Sequence, residues 1–142
     1  KVLRRSVETT IHCGHYSDCT VICAMAYRPW NLTLRFILEL TALASLAAWG
    51  WLSNGWIAAL GAPLLAFALW GIFAVPGDPS RSGRAPVPIP GWLRLALELA
   101  IFYGAVGALL AIDQSAFAIA LCAITTLHHG LSYNRLAWLL RR

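Results

Sequence analysis

Apolar and polar positions alternate in long blocks along this chain. Residues 1–27 are polar, with Lys1, Arg4, Arg5, Glu8 and Asp18 among them. Four apolar spans follow, at about residues 32–52, 56–75, 92–112 and 116–133. Between Leu40 and Val75 there is no Asp, Glu, Lys, Arg or His, and between Leu99 and Leu127 the one charge is Asp113. Charge-free runs of this length read as membrane spans, because about 20 helical residues cover the ~30 Å hydrocarbon layer. Lipid offers the backbone no hydrogen bonds, so each span is expected to be a helix. Ser53-Asn54-Gly55 and Asp113-Gln114-Ser115 read as tight turns, with Ser115 in position to cap the following helix. Residues 76–91 carry Pro79, Pro86, Pro88 and Pro90 with Arg81 and Arg84, a loop that suits neither helix nor strand. The expected fold is all-α integral membrane, with four transmembrane helices arranged as two tandem hairpins over residues 28–142.

Residues 1–27 form a polar N-terminal extension with no apolar run of signal-peptide length. The only methionine, Met25, stands just ahead of the apolar part, so one reading starts the native chain there and treats residues 1–24 as upstream sequence.

Composition narrows the class. The chain is 59% hydrophobic and 12% charged, with a mean hydropathy of +0.66, whereas soluble domains carry about 25% charged residues. A soluble domain, a disordered chain, a disulfide-stapled secreted domain and a nucleic-acid binder are all excluded as descriptions of the whole. The formal charge is +5, and ten of the eleven basic residues are arginines. Arg28, Arg81, Arg84, Arg135, Arg141 and Arg142 fall at the chain ends or in the central loop, and the two short turns have no basic residue. The positive-inside rule then places both termini and the Pro-rich loop in the cytoplasm. Tryptophans mark the same boundaries, Trp30, Trp92 and Trp138 on the cytoplasmic side and Trp49, Trp51 and Trp56 on the other.

The spans also contain a repeat. Leu34-Arg35-Phe36-Ile37-Leu38-Glu39-Leu40 returns 59 residues later as Leu93-Arg94-Leu95-Ala96-Leu97-Glu98-Leu99, identical at five of seven positions. The same offset puts Asn54 on Asp113 and Trp70-Gly71 on His129-Gly130. Each unit is a hairpin, so the copies would be parallel repeats about an axis along the membrane normal. The pattern L-R-F-x-L-E-L in the first span, W-G-x-F at Trp70–Phe73, L-E-L in the third and N-R-L at Asn134–Leu136 resembles the YrdB-like family. These are small bacterial four-helix membrane proteins without an assigned activity. The resemblance covers about residues 31–140; it implies a multi-pass location in the inner (cytoplasmic) membrane and supplies no reaction.

Chemistry would concentrate in one polar layer. Arg35 and Glu39 are four residues apart, as are Arg94 and Glu98, so each pair shares a helix face. Glu39 lies about 10 Å into the membrane from Leu32, and Glu98 about 9 Å from Trp92. His129, with His128 beside it, lies about 9 Å from Arg135 on the same side. Charges at that depth are expensive and are normally paired or functional. Two readings stand. In one, Arg35–Glu39 and Arg94–Glu98 neutralise each other or cross-pair as Arg35–Glu98 and Arg94–Glu39, and the chain is a non-catalytic membrane subunit or scaffold. In the other, a glutamate exchanges a proton with His128 and His129 as relays, and the chain is a small proton- or ion-coupled transporter or channel.

Thr41, Ser45 and Ala48 in the first span, and Ala100, Gly104, Gly107 and Ala111 in the third, form a small-residue stripe of the kind that lets membrane helices approach closely. The stripe lies away from the glutamate face and suits a homodimer or another membrane protein as partner, besides the lipid bilayer itself. His12, Cys13, His15, Cys19 and Cys23 are ligand types for zinc, but their spacing matches no common zinc site, and no metal is expected. Cys122 reads as packing, and the sequon Asn31-Leu32-Thr33 sits on the cytoplasmic face, where it is uninformative. Without a Walker loop, dinucleotide fingerprint, zincin helix or nucleophile elbow, neither a cofactor nor an enzyme is expected.

Overall fold

The computed structural model describes residues 29–76 and 86–141. The N-terminal extension with its His/Cys cluster, Met25, Arg28, Arg81, Arg84 and Arg142 lie outside the described residues. Helix α1 covers Pro29–Asn54 and α2 covers Trp56–Ile72, followed by the two-residue strands β1 (Phe73–Ala74) and β2 (Val87–Pro88). Helix α3 is Gly91–Ala111, α4 is Ser115–Leu131 and α5 is Tyr133–Leu140. The chain is predominantly helical. Helices α1 and α3 are long and apolar enough to cross a bilayer, and α4 with α5 would make a third crossing if taken as one bent span. Helix α2 is apolar but has 17 residues, about 26 Å at the helical rise.

Several expected boundaries move. Helix α1 begins earlier and ends later than residues 32–52, taking in Asn54, so Gly55 alone breaks it, with φ 79°. Asp113 adopts φ 60° at the second corner, a conformation Asp tolerates better than most residues. Ser115 does not cap α4. It is the first helical residue, Gln114 holds the cap position, and no side chain bonds there. Helix α2 stops at Ile72 rather than at 75, because Phe73 and Ala74 turn extended and pair in parallel with Val87 and Pro88. The Pro-rich loop therefore contains strand after all. Pro88 is admissible in so short an edge, where Ile89 supplies the N–H that bonds the Ala74 carbonyl at 3.0 Å. The fourth span ends at Leu131, and α5 leaves it at a 71° bend.

Packing centres on α3. Its buried positions Arg94, Leu95, Glu98, Phe102, Ala105 and Leu109 follow the three- and four-residue spacing of one helix stripe. Phe102, Ala105 and Leu109 meet Leu38 and Ala42 of α1 and Ala118 and Leu121 of α4 in the main cluster. A second cluster joins Val75, Leu95 and Leu139 beneath α5. Two close approaches depend on glycine. A Cβ on Gly50 would come within 2.5 Å of the Ala58 carbonyl, and one on Gly91 would collide with the backbone carbonyl of Leu139. So α1 crosses α2 backbone to backbone, and the last turn of α5 sits against the start of α3. Helix α2 buries only Ala66, while Ile57, Leu60, Leu64, Leu65 and Phe67 all face outward.

The two copies of the heptamer do not bury the same face. Helix α1 turns Asn31, Leu38, Ala42 and Ser45 inward. At the 59-residue offset, the buried α3 positions Glu98 and Phe102 correspond to Glu39 and Leu43, which are only half-buried. One position along a helix is a rotation of about 100°, enough to carry Glu39 to the edge of the bundle while Glu98 enters its centre.

Candidate functional site

Glu98 is the centre of the polar layer, 1% exposed on the buried stripe of α3. Its carboxylate receives two parallel hydrogen bonds from Arg135, Nη1 to Oε1 and Nη2 to Oε2, each 3.0 Å. Arg35 Nη2 approaches Oε2 at 3.7 Å, and His129 Nε2 approaches Oε1 at 3.7 Å. Arg35 also donates from Nε to Glu39 Oε1 at 2.9 Å. Of the pairings expected from sequence, Arg35–Glu39 and the cross-pair Arg35–Glu98 are present. Arg94 does not hold Glu98. Its Nη1 donates to the carbonyls of Trp70 (2.9 Å) and Phe73 (2.7 Å), and its guanidinium lies 4.7 Å from the Trp70 ring centroid. It closes the open end of α2, where carbonyls lack helical partners and favour a cation.

Arg135 is the residue that sequence reasoning missed. As part of a straight chain leaving the fourth span it would sit in water and report only orientation. The bend at Ser132 folds it back instead, leaving it 8% exposed over the carboxylate. The N-R-L motif was the signal, read only for family likeness. Asn31 was missed too: its Nδ2 donates to Ser132 Oγ at 3.2 Å across the bundle, tying the bend to the start of α1.

His128 and His129 are both buried at the last turn of α4. Their rings meet edge to face at 5.7 Å, and His129 meets Phe102, itself edge-on to Trp70. His129 Nδ1 lies 2.8 Å from the Thr125 carbonyl. His128 Nδ1 and His129 Nε2 are buried without a hydrogen-bond partner among the described residues. Asn31, Arg35, Glu98, His128, His129, Ser132 and Arg135 surround a cavity of about 10 Å³, near the lower limit for one water. Glu39 is outside it, a quarter exposed beside an apolar recess of about 90 Å³ lined by Phe67, Trp70 and Phe102. No group of three metal-ligating side chains occurs among the described residues.

The small-residue stripe is not a seam within the chain. Ser45 is buried, but Thr41, Ala48, Ala100, Gly104, Gly107 and Ala111 are exposed, and added Cβ atoms at Gly104 and Gly107 would meet nothing. The buried cluster between α1 and α3 uses Leu38 and Ala42 with Phe102 and Ala105, a different face.

An apolar helical protein with one buried ionic cluster is what fold and site define. The family described as "Protein of unknown function (DUF2568)" matches residues 33–126, and the chain belongs to it. The chain is also similar to "Uncharacterized protein YrdB" of Bacillus subtilis (strain 168), 40% identical over 116 residues that cover 79% of this chain and 94% of that protein. No solved structure matches.

Proposed function

We propose that this chain is a non-catalytic integral protein of the bacterial inner membrane, a subunit or scaffold whose ionic cluster clamps its helices in register. Four crossings with both termini cytoplasmic fit the charge pattern, with α2 and α4 as short spans and α5 lying along the surface. The two hairpins are then diverged copies of one unit. The observation that carries the reading is the closure of Glu98, gripped by Arg135 from α5 and approached by Arg35 from α1 around a cavity of about 10 Å³. Among the described residues, two arginines face two glutamates in this cluster. A transport path needs a wet route to its charge, and a cavity of about 10 Å³ has room for about one water. The exposed Ala100, Gly104, Gly107 and Ala111 face would associate with a second copy or another membrane protein, consistent with small-residue helix contacts in lipid.

The second reading, proton- or ion-coupled transport, draws on one observation: two buried imidazole nitrogens without partners lie in the same cluster. Reconstitution into liposomes separates the two. The clamp reading expects proton and ion flux equal to that of empty liposomes, with Glu98→Gln changing stability and not flux. Flux well above empty liposomes that vanishes in a folded Glu98→Gln protein would overturn it.

A further inference from the structure

The clamp explains both oxygens of Glu98 but not the ring that faces one of them. A carbonyl oxygen can only accept, so the 2.8 Å contact with Thr125 means that His129 Nδ1 carries a hydrogen. The other nitrogen, Nε2, is then bare in the neutral ring. It lies 3.7 Å from Glu98 Oε1, buried and with no hydrogen bond of its own. A buried acceptor facing another acceptor is an unfavourable arrangement. A proton between them removes the conflict and turns Nε2 into a charge-assisted donor.

We propose that His129 Nε2 and Glu98 Oε1 form a proton-binding site. The proton comes from water and bonds to the Nε2 lone pair; no other bond forms or breaks. The resulting imidazolium pairs with a carboxylate oxygen that Arg135 Nη1 already occupies at 3.0 Å, so His129 and Arg135 share Oε1. Arg35 and Glu39 face the site from α1, Glu98 from α3, His128 from α4 and Arg135 from α5, while Arg94 is turned to the end of α2. Uptake adds one positive charge, which the arginines oppose and the carboxylates favour, Glu98 foremost because its Oε1 lies 3.7 Å from the ring. Proton affinity at His129 therefore depends on the Glu98 carboxylate. None of this requires flux, so the site stands or falls separately from the clamp.

The test is ¹⁵N NMR of the full chain, labelled at its four histidines and held in lipid nanodiscs, from about pH 5 to about pH 9, the range in which histidine titrates. His129 alone follows another histidine, so ¹³C,¹⁵N-histidine labelling of the wild-type chain assigns its signals through the one His–His peptide bond. The expected result is a neutral Nδ1–H tautomer at the alkaline end and a single protonation of Nε2 on acidification. Glu98→Gln should lower proton affinity about tenfold or more, and Arg35→Gln, which removes an opposing charge, should raise it. An Nε2–H tautomer at the alkaline end, no protonation down to the acid end, or an unchanged midpoint in folded Glu98→Gln would each overturn the proposal. The first two need only the wild-type chain, so a variant that fails to fold does not protect the idea.

Discussion

Replacing Arg135 with alanine leaves the least exposed carboxylate of the described residues without its main partner. Glu98 would lose both 3.0 Å bonds and keep Arg35 and His129, each 3.7 Å away. Removing one member of a buried ion pair costs about 3–5 kcal/mol, because the remaining charge stays desolvated. Glu98→Ala/Arg135→Ala removes that orphan charge along with the pair. The double variant should therefore be more stable than the sum of the single changes implies, with a coupling of about 2–3 kcal/mol, near the top of the range for contacting residues. Arg35→Ala should cost less against Glu98, since its contact is longer and Arg135 remains. The assay is reversible unfolding in mixed micelles of rising dodecyl sulfate fraction, followed by helical circular dichroism and repeated for all corners of the cycle. Were Arg135→Ala within about 0.5 kcal/mol of wild type, the span of an ordinary surface change, Glu98 would not depend on that grip. Strict additivity in the cycle would refute the clamp itself.

Gly91→Val should unseat α5, because any Cβ there strikes the Leu139 carbonyl, and overpacking of this kind costs about 1–3 kcal/mol or more. A spin label at Arg141→Cys would then become more mobile, while unchanged mobility would contradict the docking of α5 on α3. Gly104→Leu meets open space within the chain, so unfolding should shift by no more than about 0.5 kcal/mol. If that face binds a second copy, energy transfer between labelled copies in nanodiscs should fall sharply.

Half of the polar layer could be read without coordinates. Arg35 and Glu39 are a local pair, and four-residue spacing on one helix is enough to bring them together. The identical spacing of Arg94 and Glu98 suggested the same bond, and it fails because α2 ends beside Arg94 with the Trp70 and Phe73 carbonyls and an indole face. Those competitors lie 21 and 24 residues away in sequence, and no local pattern encodes them. Arg135 was hidden for a related reason: the signal for a bend at Ser132 is weak, and without the bend the arginine belongs to the aqueous side. The small-residue stripe is legible from spacing along each helix, but which face meets a neighbour in the same chain is a matter of helix rotation.

Sequence by itself determined the helical character of this protein and the position of its corners at Gly55 and Asp113. The reason is local: a charge-free backbone run has only its own carbonyls to bond, and glycine or aspartate is needed where φ turns positive. Tertiary structure alone decided which arginine holds Glu98, why Glu39 is left at the rim, and how two histidines come to share the carboxylate's surroundings. Those outcomes depend on how far each helix is rotated and where α5 folds back, quantities set by the packing of Phe102, Leu139 and the two close-contact glycines.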